Sequence, residues 1–332
     1  MSRLTISGVV LYSDLTPAGG AAVRIIERDS APGGKDDRIL TETTDPDGRF
    51  EGLSTDWQDR EGVVFGIDIP DVFRLDFVVT VDGHTHTGPF LLAGGRSAPI
   101  ILPFGPPKPV AKNERDLVQV ILLADDLVGA ERTLYEFIET SAQTLTNTIL
   151  GGSYRKITFL KGADATLAGM VSALDQAAAR STVEAVDLIF TTHGNTDAVV
   201  FADGRYPVSK VKAALLALPA ERRGKFRVVF STACFGVTHL NGWIGGGFNE
   251  ASGSVGIYAD SAVSYAPFLA AWAAEKTFAE SVAAANAADI GNVADNAARA
   301  FYLARSRPVQ AAQVDSDRKR AGGGRTRLYT TP

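Results

Sequence analysis

Cys234 is the only cysteine in the 332-residue chain, and it stands in "VVFSTACFG", where an apolar run gives way to small residues. A thiol is mostly protonated at neutral pH, because its ordinary pKa is near ~8.5. To act as a nucleophile it needs a group that takes the proton and later gives one to a leaving amine, and histidine can do both. His193, in "LIFTTHG", repeats the cysteine's setting: an apolar run, small polar residues, a reactive side chain and a glycine nearby. The two lie 41 positions apart. Gly194 would let a substrate carbonyl approach its backbone N–H, and the Cys234 N–H would supply a second donor, together an oxyanion hole. His239, just past Cys234, is an alternative base ranked lower because no core strand precedes it.

Such groups are useful only if the chain brings them together. "DLVQVILLADD" (116–126), "KITFL" (156–160), "VDLIFTTHG" (186–194) and "FRVVFSTACFG" (226–236) read as strands of a sheet buried on both faces, with "SVGIYADSAV" (254–263) as a fifth. Between them, Leu167, Met170, Val171 and Leu174 mark an amphipathic helix, and Val211, Leu215 and Leu218 another. "DAVVFADGRYPV" (197–208) suits a hairpin, and an alanine-rich helical region covers about 266–305. Alternating strands and helices predict an α/β fold with a mostly parallel sheet flanked by helices. In such sheets functional groups collect at the carboxyl ends of the strands, where His193 and Cys234 both fall.

The first hundred residues differ. Short β-branched and aromatic runs at 4–13, 21–29, 74–83 and 86–94 alternate with turn segments such as "TPAGG" and "DPDGR", the pattern of a small all-β sandwich. The expected layout is therefore a sandwich over 1–103, a Pro-rich linker over 104–112, an α/β domain over 113–310 and a basic, Gly-rich, mobile tail over 311–332.

A net charge of −5 argues against a general nucleic-acid binder. No apolar run reaches the ~20 residues of a membrane span, and a lone cysteine suits a reducing compartment, so a cytoplasmic location is expected. His84 and His86 lack a third ligand nearby, "DPDG" lacks the later ligands of a calcium loop, and "GWIGGG" lacks the close of a phosphate loop and is expected as a flexible loop. No metal or other cofactor is expected.

His-Gly after one apolar strand and Ala-Cys after the next resemble the caspase-like superfamily of cysteine peptidases, which includes caspases, legumains, gingipains and separases. The stretch from His193 to Gly236 is most similar to the legumain–gingipain side. The resemblance covers about 115–265 and implies a caspase-like fold, a peptide or protein substrate, Cys234 as nucleophile, His193 as general base and acid, and Gly194 as oxyanion donor. It also implies a P1 pocket built partly by the strand after the cysteine, so Asp260, Ser261 and Tyr265 are the candidate substrate-binding residues; Asp260 would favour basic P1 side chains, while the asparagine preference of legumains and the aspartate preference of caspases stay open. "TISGVVLYSDLTPAGGAAVRIIERD" and "TTDPDGRFEG" resemble transthyretin-like or carboxypeptidase-regulatory-like sandwiches, modules that bind a partner or brace. The competing reading is a catalytically silent caspase-like adaptor that uses the sandwich for recruitment.

Overall fold

A computed structural model describes residues 5–13, 15–28, 37–54, 62–64, 67–69, 74–81, 84–90, 92–93, 96–102, 109–125, 127–323 and 326–331. Most of the Pro-rich segment and the His84 side chain lie outside them. The chain divides into two compact units, Met1–Pro107 and Lys108–Pro332.

In the first unit every regular element among the described residues is a strand: β1 (Thr5–Leu11), β2 (Ala22–Arg28), β3 (Asp37–Thr43), β4 (Arg49–Leu53), β5 (Gly62–Val64), β6 (Ile67–Ile69), β7 (Arg74–Val81), β8 (His84–Pro89), β9 (Leu92–Ala93), β10 (Arg96–Ser97) and β11 (Ile100–Ile101). One sheet runs β3-β2-β7-β8; another gathers β11, β1, β10 and β9, with β4 also paired to β1. Ile6, Val10 and Phe50 of the second meet Val23, Ile25, Leu40 and Val79 of the first in a single apolar core. At "DPDG" the Gly48 N–H donates to the Asp45 carbonyl in a tight turn, and Phe50 returns to the core. His86 rests against Phe77, ring centroids 5.3 Å apart.

The second unit is α/β. Its sheet contains β12 (Arg115–Leu122), β13 (Lys156–Lys161), β14 (Ala185–Thr192), then β18 (Phe226–Ser231), β19 (Glu250–Ser254) and β20 (Arg318–Ala321), in the order β13-β12-β14-β18-β19-β20. All neighbours are parallel except the β19–β20 pair. A small three-stranded sheet of β15 (Gly194–Asn195), β16 (Ala198–Phe201) and β17 (Gly204–Pro207) branches off after β14. Its turn is the hairpin the Asp-Gly dipeptide predicted.

Helices cover both faces because the central strands are apolar on both. Val118, Val120, Leu188, Phe190 and Val229 pack against α2 (Leu167–Ala178), α3 (Val208–Leu216) and α5 (Leu240–Gly245), the short α4 (Ala220–Arg223) lying between. Leu117, Ile189, Val228 and Phe230 pack against α1 (Gly129–Leu150), α6 (Ser261–Ala273) and α7 (Phe278–Asn286). Beyond these come α8 (Val293–Ala304) and α9 (Pro308–Ala312). Thr277 and Glu280 form a reciprocal capping box that opens α7. Trp243, Trp272, Phe268 and Tyr265 are all buried. No helix among the described residues is long and apolar enough to cross a membrane.

Three expectations are corrected. The fifth strand is Glu250–Ser254, and residues 255–260 form a loop. "EASGS" carries little β signal, yet Gly253 and Gly236 are so close that a Cβ on Gly253 would lie 2.3 Å from the Gly236 carbonyl carbon, a contact only small residues permit. The tail is not a mobile arm: it supplies β20, and Val314, Arg318 and Leu328 are buried. It is anchored by backbone carbonyls, since Arg227 Nη1 donates to those of Arg327, Leu328 and Thr330. "GWIGGG" is largely helix α5, held by the buried Trp243.

Candidate active site

The register of β14 against β18 pairs Ile189 with Phe230 and Phe190 with Ser231. Beyond the ladder Thr232 N–H still donates to the Phe190 carbonyl at 2.8 Å, so the strands stay side by side. Thr191 and Thr232 follow that last ladder pair directly, and His193 and Cys234 each stand three residues past it. Neighbouring strands are ~4.8 Å apart and side chains alternate between faces. Ile189 and Phe230 both face the α1/α6 side; Thr191 and Thr232, one alternation on, line a cavity with residues of α1 and α6, and the His193 ring meets Tyr135 of α1. The chains remain in contact at the next residue. A Cβ on Gly194 would meet the Cys234 carbonyl oxygen at 2.6 Å and the Ala233 methyl at 2.9 Å, which is why glycine and alanine are needed here.

The imidazole is held from two directions. His193 Nε2 lies 2.8 Å from the Leu123 carbonyl oxygen. A carbonyl only accepts, so Nε2 carries the hydrogen, and in the neutral ring Nδ1 is left as the bare base. The edge of Tyr135 on α1 contacts the ring, centroids 5.4 Å apart. The loop bearing Leu123 is itself fastened: the N–H groups of Leu123 and Ala124 donate to Glu139 Oε1 at 2.6 and 3.0 Å. Tyr135, Leu123 and Glu139 were missed in the sequence because a backbone carbonyl and its support leave no residue-type signature.

Cys234 ends a sharp elbow. Phe235 adopts φ 56°, ψ 27°, a left-handed conformation that a non-glycine residue enters only at a cost. Its N–H donates to the Gly256 carbonyl and its own carbonyl accepts from Thr238 N–H and Oγ1, which hold the turn. Burial pushes the Cys234 thiol pKa up, while the Tyr258 and Cys234 backbone amides favour the thiolate and oppose that rise. The resting group is therefore a thiol, and attack must be coupled to proton removal. Tyr135 senses the same centre: its hydroxyl pKa is raised by burial first, then by the negative charges of Tyr302, Cys234 and Glu131.

Gly194 pairs with Val199 in the antiparallel β15–β16 ladder. Val200 N–H donates to the His193 carbonyl, so the adjacent Gly194–Val199 pair turns its backbone groups outwards. The Gly194 amide thus faces away from β16.

His239 is fully buried behind Gly194, with Nε2 2.8 Å from the Asn195 carbonyl, and burial lowers its pKa. It braces the Gly194 loop.

Of the three substrate-binding candidates, Ser261 and Tyr265 line a cavity of about 220 Å³ with Phe137, Ile138, Ser141, Ala142, Leu145, Thr191 and Thr232. Asp260 does not line it. Asp260 is 4% exposed and accepts from Ser264 Oγ at 3.0 Å, with burial pushing its pKa up to about 6. It sits in the loop before α6 and turns into the protein, so it offers no charge to a basic P1 group. Among the described residues no group of three or more His, Cys, Asp and Glu is placed to hold a metal ion.

No protein-family model and no curated protein matches the chain. Among solved structures, a secreted C11 cysteine protease from Bacteroides thetaiotaomicron superposes with a TM-score of 0.39 at 11% identity, over 60% of this chain and 65% of that one. The same protease bound to an irreversible peptide inhibitor gives 0.34 at 11%, over 48% and 53%. Caspase-1 from Spodoptera frugiperda gives 0.41 at 13%, over 65% and 89%. The chain thus spans between half and two thirds of the length of the bacterial protease. These scores are low, and a functional reading rests on the geometry of the site itself.

Proposed function

We propose that the protein is a caspase-like cysteine endopeptidase in which Cys234 and His193 act as a dyad. The observation that supports this reading is the register of β14 against β18, whose last pair, Phe190 and Ser231, leaves His193 and Cys234 each three residues on, while Leu123 fixes Nε2–H. Nδ1 takes the thiol proton as the sulfur bonds to the scissile carbonyl carbon, and the carbonyl electron pair moves to oxygen. The amides of Gly194 and Cys234 receive that oxyanion. When the pair returns, the C–N bond breaks and the imidazolium protonates the leaving amine. Water then adds to the thioester, giving its proton to Nδ1, and collapse releases the acid and restores the thiol.

The N-terminal unit is read as a transthyretin-like module that binds a protein partner or braces the chain. A reducing, cytoplasmic setting would keep the single thiol active.

The raised thiol pKa favours a second reading, an inert caspase-like adaptor. Labelling with an electrophilic peptide probe, read by intact mass, separates the two. The peptidase reading expects modification at Cys234, strongly slowed in His193→Ala with the melting temperature unchanged. Equal labelling of wild type and His193→Ala overturns it.

A further inference from the structure

Building on the peptidase reading, we propose that the cavity lined by Thr191, Thr232 and Tyr265 receives the substrate's P1 side chain and selects a large, uncharged, mainly apolar one such as leucine, methionine or phenylalanine.

The cavity is in the right place. Thr191 and Thr232 lie two residues before His193 and Cys234, one alternation down each strand on the same face. The P1 side chain springs from the carbon next to the one the sulfur attacks, so a cavity one alternation below the dyad is the space it meets.

Its chemistry is also selective. The walls are Phe137, Ile138, Ala142 and Leu145, and the polar lining consists only of hydroxyls, with no charged side chain. An arginine, lysine, aspartate or glutamate seated there would be desolvated without a counter-ion. The three acids that adjoin lining residues in sequence are all engaged elsewhere: Asp260 with Ser264, Glu136 with Arg132, and Glu139 with the Leu123 and Ala124 amides. The volume of about 220 Å³ falls below the usual small-molecule range of about 300–1,000 Å³ and suits a single side chain.

One residue of the lining carries an unpaired polar atom. Thr191 is 2% exposed and lines the cavity, yet its Oγ1 has no hydrogen-bond partner among the described residues. A buried hydroxyl left unpaired is costly, and an occupant offering a weak acceptor would relieve it. The thioether of methionine does so without bringing charge.

The test uses full-length protein and peptide chloromethyl ketones identical except at P1: Leu, Met, Phe, Ala, Arg, Asp and Asn. Second-order labelling of Cys234 is read by intact mass. Leu, Met or Phe should react at least about tenfold faster than Arg, Asp or Asn, the scale of pocket discrimination. Ser141 is half-buried on α1, and Ser141→Phe should slow the Leu probe about tenfold while changing the Ala probe little. Should that variant not fold, Ser141→Asp should invert the Leu/Arg preference. Fastest labelling by Arg, Asp or Asn, or equal slowing of every probe in the variant, overturns the pocket assignment and leaves the peptidase reading standing. No labelling at any P1 overturns the peptidase reading, and the pocket with it.

Discussion

The same two strands carry buried polar groups near both ends, and the two sets are treated in opposite ways. Towards the amino ends of β14 and β18, Asp187 accepts from Arg227 Nε at 3.0 Å, from Arg227 Nη2 at 2.5 Å and from Tyr154 at 2.6 Å. Trp272 Nε1 donates to Tyr154, and the remaining guanidinium nitrogen is taken by carbonyls of the C-terminal segment. At the carboxyl ends, Thr191 Oγ1 has no partner among the described residues, His193 presents a bare Nδ1, and Phe235 is held at positive φ. A closed network serves the fold. An open one leaves room for something to arrive.

The sharpest way to break this contrast is to remove the thiol. Cys234→Ala should abolish peptide cleavage, a loss of at least about 1,000-fold, because no other group supplies the nucleophile. Its melting temperature should stay within about 2 °C of wild type, since the change removes a single atom from a partly buried site. A large destabilisation would instead make Cys234 a packing residue like those of the closed network.

The closed end should respond the other way. Asp187→Ala leaves the fully buried Arg227 without its carboxylate, and loss of one partner of a buried pair costs about 3–5 kcal/mol. Urea denaturation should show that loss, while labelling of Cys234 per folded molecule stays near wild type. Unchanged stability would mean the network is less closed than its geometry.

At the open end itself, behind His193, lies Glu139, whose carboxylate fastens the loop that presents the Leu123 carbonyl to His193. It touches neither the reacting atoms nor the cavity, so it is a positioning residue. Glu139→Ala should lower kcat about tenfold with KM little changed, as expected when the base is misaligned and binding is not. Glu139→Gln, which keeps an acceptor oxygen, should recover part of the loss. A rise in KM with kcat unchanged would contradict this role.

How much of the molecule is readable in the chain depends on where the information lies. The central strands are legible because Leu117–Leu122, Leu188–Phe190 and Val228–Phe230 are mainly apolar on both faces, and the proposed dyad is picked out because a lone cysteine and a histidine end such runs. β19 is not, because its fitness is one of size: Gly253 against Gly236 makes no hydrophobic pattern. The tail misleads for a related reason, as its charge and glycine content mark exposure only if no partner awaits, and Arg318 packs its guanidinium 3.9 Å from the centre of the Phe230 ring. Asp260 is displaced by the same shift, since moving the strand from 254–263 to Glu250–Ser254 turns a strand-end acid into one buried ahead of α6.

That acid yields the most pH-specific test of the open end. Burial raises the Asp260 pKa to about 6, with Ser264, Arg318 and Tyr258 pulling it back. The folded protein therefore holds this proton more tightly than the unfolded chain. Its contribution to stability is fully present below the ordinary carboxylate pKa and is lost as pH rises through about 6. Two pKa units correspond to about 3 kcal/mol at most. Asp260→Asn, which cannot ionise, should flatten this part of the stability profile between about pH 4 and pH 6 in urea titrations. A variant whose stability falls with pH as steeply as wild type would show that Asp260 titrates freely, and would return it to the list of groups able to meet a basic P1 side chain.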